Sequence, residues 1–207
     1  MKISFAITIC NEIQEIQRLI PFLLEKKRPI DEIVILFDEK NGDKEILEFL
    51  LPFNKLPNVQ TWRSNDWNDN FADWKNKLNS YCTGDYIFQI DADEMISEYM
   101  IQNVYQIVEL NPEIDLFYLP RINTVEGITD EHIKVWNWVV NEKGHINFPD
   151  WQGRLYKQKM SWYGKVHERI IGGNKFSTLP QDAEEYCIQH HKTIQKQEKQ
   201  NNFYNKI

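Results

Sequence analysis

Three carboxylates, Asp91, Asp93 and Glu94, fall within four positions directly after the apolar run 86–90. Charges that close repel one another unless protons or a cation offset them, and hard carboxylate oxygens suit Mg²⁺ or Mn²⁺, which keep open positions for phosphate oxygens. The cluster reads either as a divalent-metal site for a phosphorylated ligand or as a solvated acidic turn whose Asp93 or Glu94 caps the next helix. Asp38 ends a second apolar run, IVILF. Its carboxylate can accept from a nucleobase imide or a ribose hydroxyl, or it is an acidic turn residue. Thr8 and Asn11 follow the first apolar run and could touch the same base; Asn11 could equally cap the helix behind it.

The elements that must carry these residues follow from hydrophobic periodicity. Apolar runs alternate with helical patterns through the first half, which predicts βαβ units and a mostly parallel sheet. Strands are expected over residues 3–9, 33–37, 59–62 and 86–90, with helices over 12–27, 44–51 (Asp43 as N-cap) and 69–81, the last closed by Thr83-Gly84. In open α/β sheets the ligand sits beyond the carboxyl ends of the strands, so Thr8 to Glu12, Asp38, Lys75 with Asn76, and the acidic cluster are expected to converge. After a helix over 97–110 and a strand over 116–119 the pattern weakens. Residues 121–150 are expected as loops and antiparallel strands lining a site, 153–171 as strands, and 193–204 as a polar, peripheral helix.

Composition narrows the classes of function. The chain has 207 residues, 24 Lys plus Arg against 31 Asp plus Glu, and a net charge of -7, whereas a duplex-binding surface is usually basic, so nucleic acid is not the expected partner. No apolar stretch approaches the ~18 to 20 residues that span a bilayer. The mean hydropathy is -0.58. Asn11 and Glu12 follow the first apolar run where a signal peptide would carry small residues, so a strand fits better. Cys10, Cys82 and Cys187 lack CxxC spacing, which argues against a disulfide framework or zinc ribbon and makes the cytoplasm the expected compartment. One domain over 1–207 is expected: a nucleotide-sugar half to residue 95, an acceptor and catalytic half over 96–191, and a terminal helix from 192.

The succession AITICNE, EIVILFD with Asp43 five residues on, NFADWKNKL, TGDYIFQIDADE, LPRIN, PDWQGRLY and KVHERI resembles family 2 glycosyltransferases of the GT-A fold. It is most similar to the small bacterial enzymes that glycosylate lipopolysaccharide core and related surface glycans. There are two departures. Glu-Lys-Asn-Gly follows Asp38 where the family usually has a small Gly/Ser turn, and Lys75 stands where an Arg is common. The resemblance implies an α/β, Rossmann-like, mostly parallel sheet flanked by helices with a mixed C-terminal part. It also implies a nucleotide-diphosphate sugar donor, UDP being the family's commonest, and a glycan or glycolipid acceptor, with peripheral membrane association possible. On that resemblance the donor is contacted by Thr8, Cys10, Asn11, Glu12, Asp38, Lys75, Asp91, Ala92, Asp93 and Arg154, with Mn²⁺ or Mg²⁺ on Asp91, Asp93 and His167. Asp150 takes the place of the base that deprotonates the acceptor hydroxyl in an inverting transfer, with Glu168 in reserve. Arg154 pairs with a phosphate, orients Asp150, or is an ordinary strand-surface arginine. His190 and His191 match a family position and are expected to orient the tail.

Of seven tryptophans, Trp67, Trp136, Trp138, Trp151 and Trp162 are expected in loops or strand edges, where indole can stack on sugar C–H faces. Trp62 and Trp74 are expected in the core. A carbohydrate-binding module would explain the tryptophans but not the acidic cluster. A sugar nucleotidyltransferase usually carries a Gly-rich basic loop where this chain has Cys10-Asn11-Glu12. A dinucleotide-dependent dehydrogenase lacks its GxGxxG.

Overall fold

A computed structural model describes residues 1–204. Its first half runs β1 (Ile3–Ile9), α1 (Ile13–Lys26), β2 (Glu32–Asp38), α2 (Lys44–Leu50), β3 (Val59–Ser64), α3 (Phe71–Tyr81), β4 (Tyr86–Asp91), β5 (Glu94–Met95) and α4 (Glu98–Leu110). The second half runs β6 (Leu116–Glu126), α5 (Asp130–Val135), β7 (Ile146–Lys157), β8 (Ser161–Tyr163), β9 (Arg169–Ile171), β10 (Phe176–Thr178), β11 (Ile188–Thr193) and α6 (Ile194–Tyr204). Residues 205–207 of the expected tail lie outside the described residues.

One nine-stranded sheet has the order β3-β2-β1-β4-β7-β6-β11-β5, with β10 beside β6. Strands β3, β2, β1 and β4 are parallel. In β1, β2 and β4 the apolar runs are nearly continuous because both faces are covered, a property of parallel sheets; β2 is buried along its whole length, whereas β3 at the sheet edge is exposed at its middle. On one face Phe5, Ile7 and Phe88 pack with Ile16, Leu19, Ile20 and Leu23 of α1 and with Met100 and Val104 of α4. On the other, Ala6, Val34 and Ile87 pack with Trp74 and Leu78 of α3. The sheet turns mixed where β7 inserts antiparallel between β4 and β6. β8 and β9 form a separate ribbon, tied to α3 because the Asn76 side chain donates to the Trp162 carbonyl at 2.9 Å and accepts from its N–H at 2.8 Å.

The caps free the residues of interest. Ser97 Oγ accepts from the Met100 N–H at 2.9 Å and so caps α4, leaving Asp93 and Glu94 without that duty. Glu12, not Asn11, occupies the N-cap position of α1. Several elements differ from expectation. β6 continues past Leu119 to Glu126 because β7 and β11 flank it, although Pro120 and polar residues obscure its period. Trp62 is 41% exposed and stacks on Tyr81 with centroids 4.1 Å apart, since β3 is an edge strand. Trp162 is buried, and its Nε1–H donates to Tyr156 Oη at 2.9 Å.

Candidate active site

The carboxyl ends of β1, β2 and β4 open on a cavity of about 780 Å³. Its walls bring together Thr8, Cys10, Asn11 and Glu12 after β1, Asp38 at the end of β2, Lys75 on α3, Asp91 with Ala92 and Asp93 after β4, and His167 with Glu168 before β9. Arg154 and Asp150 lie outside that lining. Short strand-to-helix turns bring residues far apart in sequence to one rim, which is the physical basis of binding at this edge of an α/β sheet.

Asp38 is wrapped by its own turn. Oδ1 accepts from the Lys40 and Asn41 N–H groups at 3.0 and 3.2 Å, and Oδ2 accepts from Asn41 Nδ2 at 2.8 Å. Gly42 closes that turn by donating to the Asp38 carbonyl at 2.9 Å; a Cβ there would collide with the same carbonyl and the Phe37 ring. The unusual Glu-Lys-Asn-Gly sequence thus still supplies a small residue where one is required. Glu12 accepts from the Cys10 and Asn11 N–H groups at 2.8 and 3.0 Å. Burial, with the charge of Asp93 adding to it, nonetheless raises its pKa. Burial, then Glu12 and Asp38, push the Cys10 thiol up to about 12, which keeps it neutral in the cavity wall.

The acidic cluster is held by cations. Asp91 Oδ1 faces Lys75 Nζ at 3.1 Å and its Oδ2 accepts from Arg154. Lys75 Nζ also reaches Glu168 Oε1 at 2.7 Å and lies 4.6 Å from the Trp162 ring centroid. Burial pushes the Asp91 pKa up, but Arg154 and Lys75 outweigh it and hold the carboxyl far below the usual range. Asp93 Oδ2 faces His190 Nε2 at 3.3 Å and Lys192 Nζ at 3.2 Å. There too burial opposes ionisation, and His190 and Lys192 win.

A second acidic centre lies one strand further on. Asp150 Oδ2 accepts from Arg121 Nε at 2.9 Å, Arg121 Nη2 at 2.6 Å and Asn123 Nδ2 at 2.8 Å, while Oδ1 accepts from Gln152 Nε2 at 2.7 Å. Burial raises the Asp150 pKa, but Arg121 and Asn123 outweigh it and the carboxyl is ionised below its ordinary range. Buried Glu94 joins the two centres, accepting from Arg121 Nη1 at 2.9 Å and Arg154 Nη2 at 2.7 Å. Arg154 is therefore neither a surface arginine nor the partner of Asp150: it is 3% exposed and orients Asp91. Arg121 fills the expected role at Asp150. Nothing local in LPRIN marks it, because its partners sit 27 and 29 residues away.

Among the described residues no three His, Cys, Asp or Glu side chains gather as a ready ligand group for a metal. His167 is exposed, has a left-handed φ of 53°, and lies with its ring centroid 5.9 Å from that of Tyr204. Both oxygens of Asp91 are engaged. Asp93 is ionised, lines the same cavity, and its Oδ1 makes no hydrogen bond among the described residues. A Mg²⁺ or Mn²⁺ ion held by one or two carboxylates and completed by phosphates and water fits that set.

His190 and His191 divide. His190 bonds Asp93 on one side and Asn123 Oδ1 on the other at 2.6 Å, while exposed His191 meets Thr124 Oγ1 at 2.8 Å. The terminal helix is not peripheral. Lys196, Lys199, Gln200, Phe203 and Tyr204 of α6 line the cavity, where Phe203 and Tyr204 meet Phe71 edge-on at 6.4 and 6.0 Å. Its polarity reflects a polar cavity beneath it instead of a core. Trp67 and Trp74 line the cavity as well. Trp136 tilts against Trp138 and stacks on His132, whose Nε2 is 3.5 Å from Glu198 of α6.

A parallel sheet ending in an acidic cavity and continued by a mixed half is the architecture of GT-A nucleotide-sugar transferases. The model of the family described as Glycosyl transferase family 2 matches residues 4–170, and the chain belongs to that family. Among solved structures, Staphylococcus aureus TarS 1-349 in complex with UDP superposes with a TM-score of 0.65 at 13% identity, over 92% of this chain and 60% of that one. TarS 1-349 in complex with UDP-GlcNAc gives 0.64 at 13% identity, over 92% and 58%. At such identity the likeness is one of fold, and the chain spans about 60% of the length of these neighbours. No curated protein sequence matches it.

Proposed function

We propose that this chain moves a sugar from a nucleoside-diphosphate donor, UDP-linked in the first instance, to a hydroxyl of a glycan or glycolipid, with inversion at the anomeric carbon and with a divalent ion in the donor site. One observation carries the reading: Asp91 and Asp93, both ionised, open from the end of β4 on the cavity that also holds Asp38. Family membership supports the reaction class, and the UDP and UDP-GlcNAc complexes of the structural neighbours support the choice of nucleotide.

In this reading Thr8 and Asp38 meet the base and ribose. Asp93, with Asp91 behind it, would hold Mn²⁺ or Mg²⁺, which when bound supplies positive charge for the departing diphosphate. Lys75 and Arg154 keep Asp91 ionised and fixed. Asp150, ionised and aimed by Arg121, Asn123 and Gln152, accepts the proton of the acceptor hydroxyl. Glu168 is the second candidate base because it lines the donor cavity itself. Three free cysteines suit a reducing compartment, and we assign the protein to the cytoplasm, at the membrane surface where the acceptor is a glycolipid. Among the described residues no helix is long and apolar enough to cross a membrane.

The test is a thermal-shift panel of UDP-, GDP-, dTDP- and CMP-sugars with and without Mn²⁺. Stabilisation by one nucleotide only when the metal is present is the expected result. Sugar binding without any nucleotide response would turn the reading to a carbohydrate-binding module.

A further inference from the structure

Gln89 stands inside β4 with apolar Phe88 and Ile90 on either side, and none of it is exposed. Side chains alternate along a strand, so Gln89 shares the face of Ile87, which packs with Trp74 and Leu78 of α3 and with Tyr156 of β7. Arg154, two residues before Tyr156, is on that face too. Phe88 is opposite Leu155 in the antiparallel β4–β7 ladder, which makes Gln89 and Arg154 the next positions along it. On its other flank Gln89 is beside Ala6 of β1, which offers it only a methyl group. Polar atoms in this layer are left over. Gln89 Nε2 and Oε1, Asn79 Nδ2 and Arg154 Nε are all buried and make no hydrogen bond among the described residues. Asn79 enters the layer from α3, its Oδ1 accepting from Tyr156 Oη at 2.9 Å.

Buried polar groups are nearly always paired, either with protein or with ordered water. Three of the four atoms are donors and one is an acceptor, and water serves both kinds. Arg154 has a particular need to be held, because one nitrogen, Nη2, serves both Asp91 and Glu94. The guanidinium is planar, so its angle decides whether both carboxylates are reached, and Nε is where that plane joins its stem. We propose that Gln89 is a positioning residue acting through buried water: the water accepts from Arg154 Nε–H and donates to Gln89 Oε1, which fixes the guanidinium plane and, through it, Asp91. The consequence for the donor site rests on the nucleoside-diphosphate and metal reading above; the water bridge itself does not.

Crystals of the full chain test the bridge, and calorimetry of UDP binding over a series of Mn²⁺ concentrations tests its consequence. The expected crystal structure has an ordered water within hydrogen-bond distance of both Gln89 Oε1 and Arg154 Nε. Gln89→Leu nearly keeps the volume and removes the polar partner, so its Tm is expected at or above wild type, as for a buried polar group replaced by an apolar one. The Mn²⁺ needed for half-maximal UDP binding is expected to rise about threefold or more in that variant. A merely structural role would lower Tm instead and leave the metal requirement alone. Gln89→Asn, whose shorter amide leaves space for a further water, is expected to stay within about twofold of wild type. No water at that place, or an unchanged Mn²⁺ requirement in Gln89→Leu, overturns the positioning role and leaves the donor reading standing. Wild-type UDP binding that is absent or indifferent to Mn²⁺ overturns the donor reading; the proposal then stands or falls on the water and on whether Arg154 leaves Asp91 in crystals of Gln89→Leu.

Discussion

Asp91 and Asp93 are two residues apart, yet different cations face them and different losses follow from removing each. Asp91 is the shared anion of Lys75 and of Arg154, whose side chain is 3% exposed. Asp91→Ala leaves Lys75 with Glu168 and Arg154 with Glu94, whereas Asp93→Ala leaves buried Lys192 with only the neutral Gln200 amide. Both are expected to abolish activity, and Asp93→Ala to cost the more stability, about 3 kcal/mol in urea unfolding. The reverse order of stabilities would remove this division of roles. At the second centre, Asp150→Asn is expected to stop turnover while Glu168→Gln weakens donor binding. Since Arg121 and Asn123 hold the Asp150 pKa below its ordinary value, the base stays ionised through mild acid, and kcat/KM is expected to be flat from about pH 5 to pH 7. An acid limb near pH 6, or an active Asp150→Asn beside an inactive Glu168→Gln, would move the base elsewhere.

At the scale of elements, the insertion of β7 between β4 and β6 makes the site. It sets Arg154 beside Asp91 and sets Asp150 beside Arg121 in the β6 register. Asp115 anchors this insertion: Oδ2 accepts from the Asn174 and Lys175 N–H groups at 2.9 and 3.3 Å, and Oδ1 faces Lys157 Nζ at 3.1 Å. Those bonds hold its pKa well below the carboxylate range. A depressed folded pKa gives stability that is present above the unfolded value near ~3.9 and is lost as pH falls through the folded one. Asp115→Asn should therefore melt below wild type at pH 7, with the gap closing as pH drops under about 4. A gap independent of pH would mean that the charge contributes nothing. Elements buried on both faces, β1, β2 and β4, are legible because their runs are predominantly apolar. The far end of β6 and the role of α6 are not, since each owes its setting to neighbours distant in sequence.

The whole molecule carries a net charge of -7 and sets seven carboxylates around one cavity, so binding an anionic donor is coupled to cations, its own and a metal's. A donor present with Mn²⁺ at ~100 times its Kd adds about 2.7 kcal/mol of stability, which for a chain of this size raises Tm by about 5 to 10 °C. Chelation is expected to erase most of that shift; an equal shift in EDTA would remove the metal from the donor site. What could be read from the chain by itself was the order of strands and helices, the carboxylates that end β2 and β4, and the family, because periodicity, turns and short motifs are written in neighbouring residues. What only the folded chain decided was which charge answers which. Arg154 on Asp91, Arg121 on Asp150, Lys192 on Asp93 and α6 over the cavity all depend on strand order across the sheet, and Coulomb attraction acts through space between groups whose sequence separation carries no trace of it.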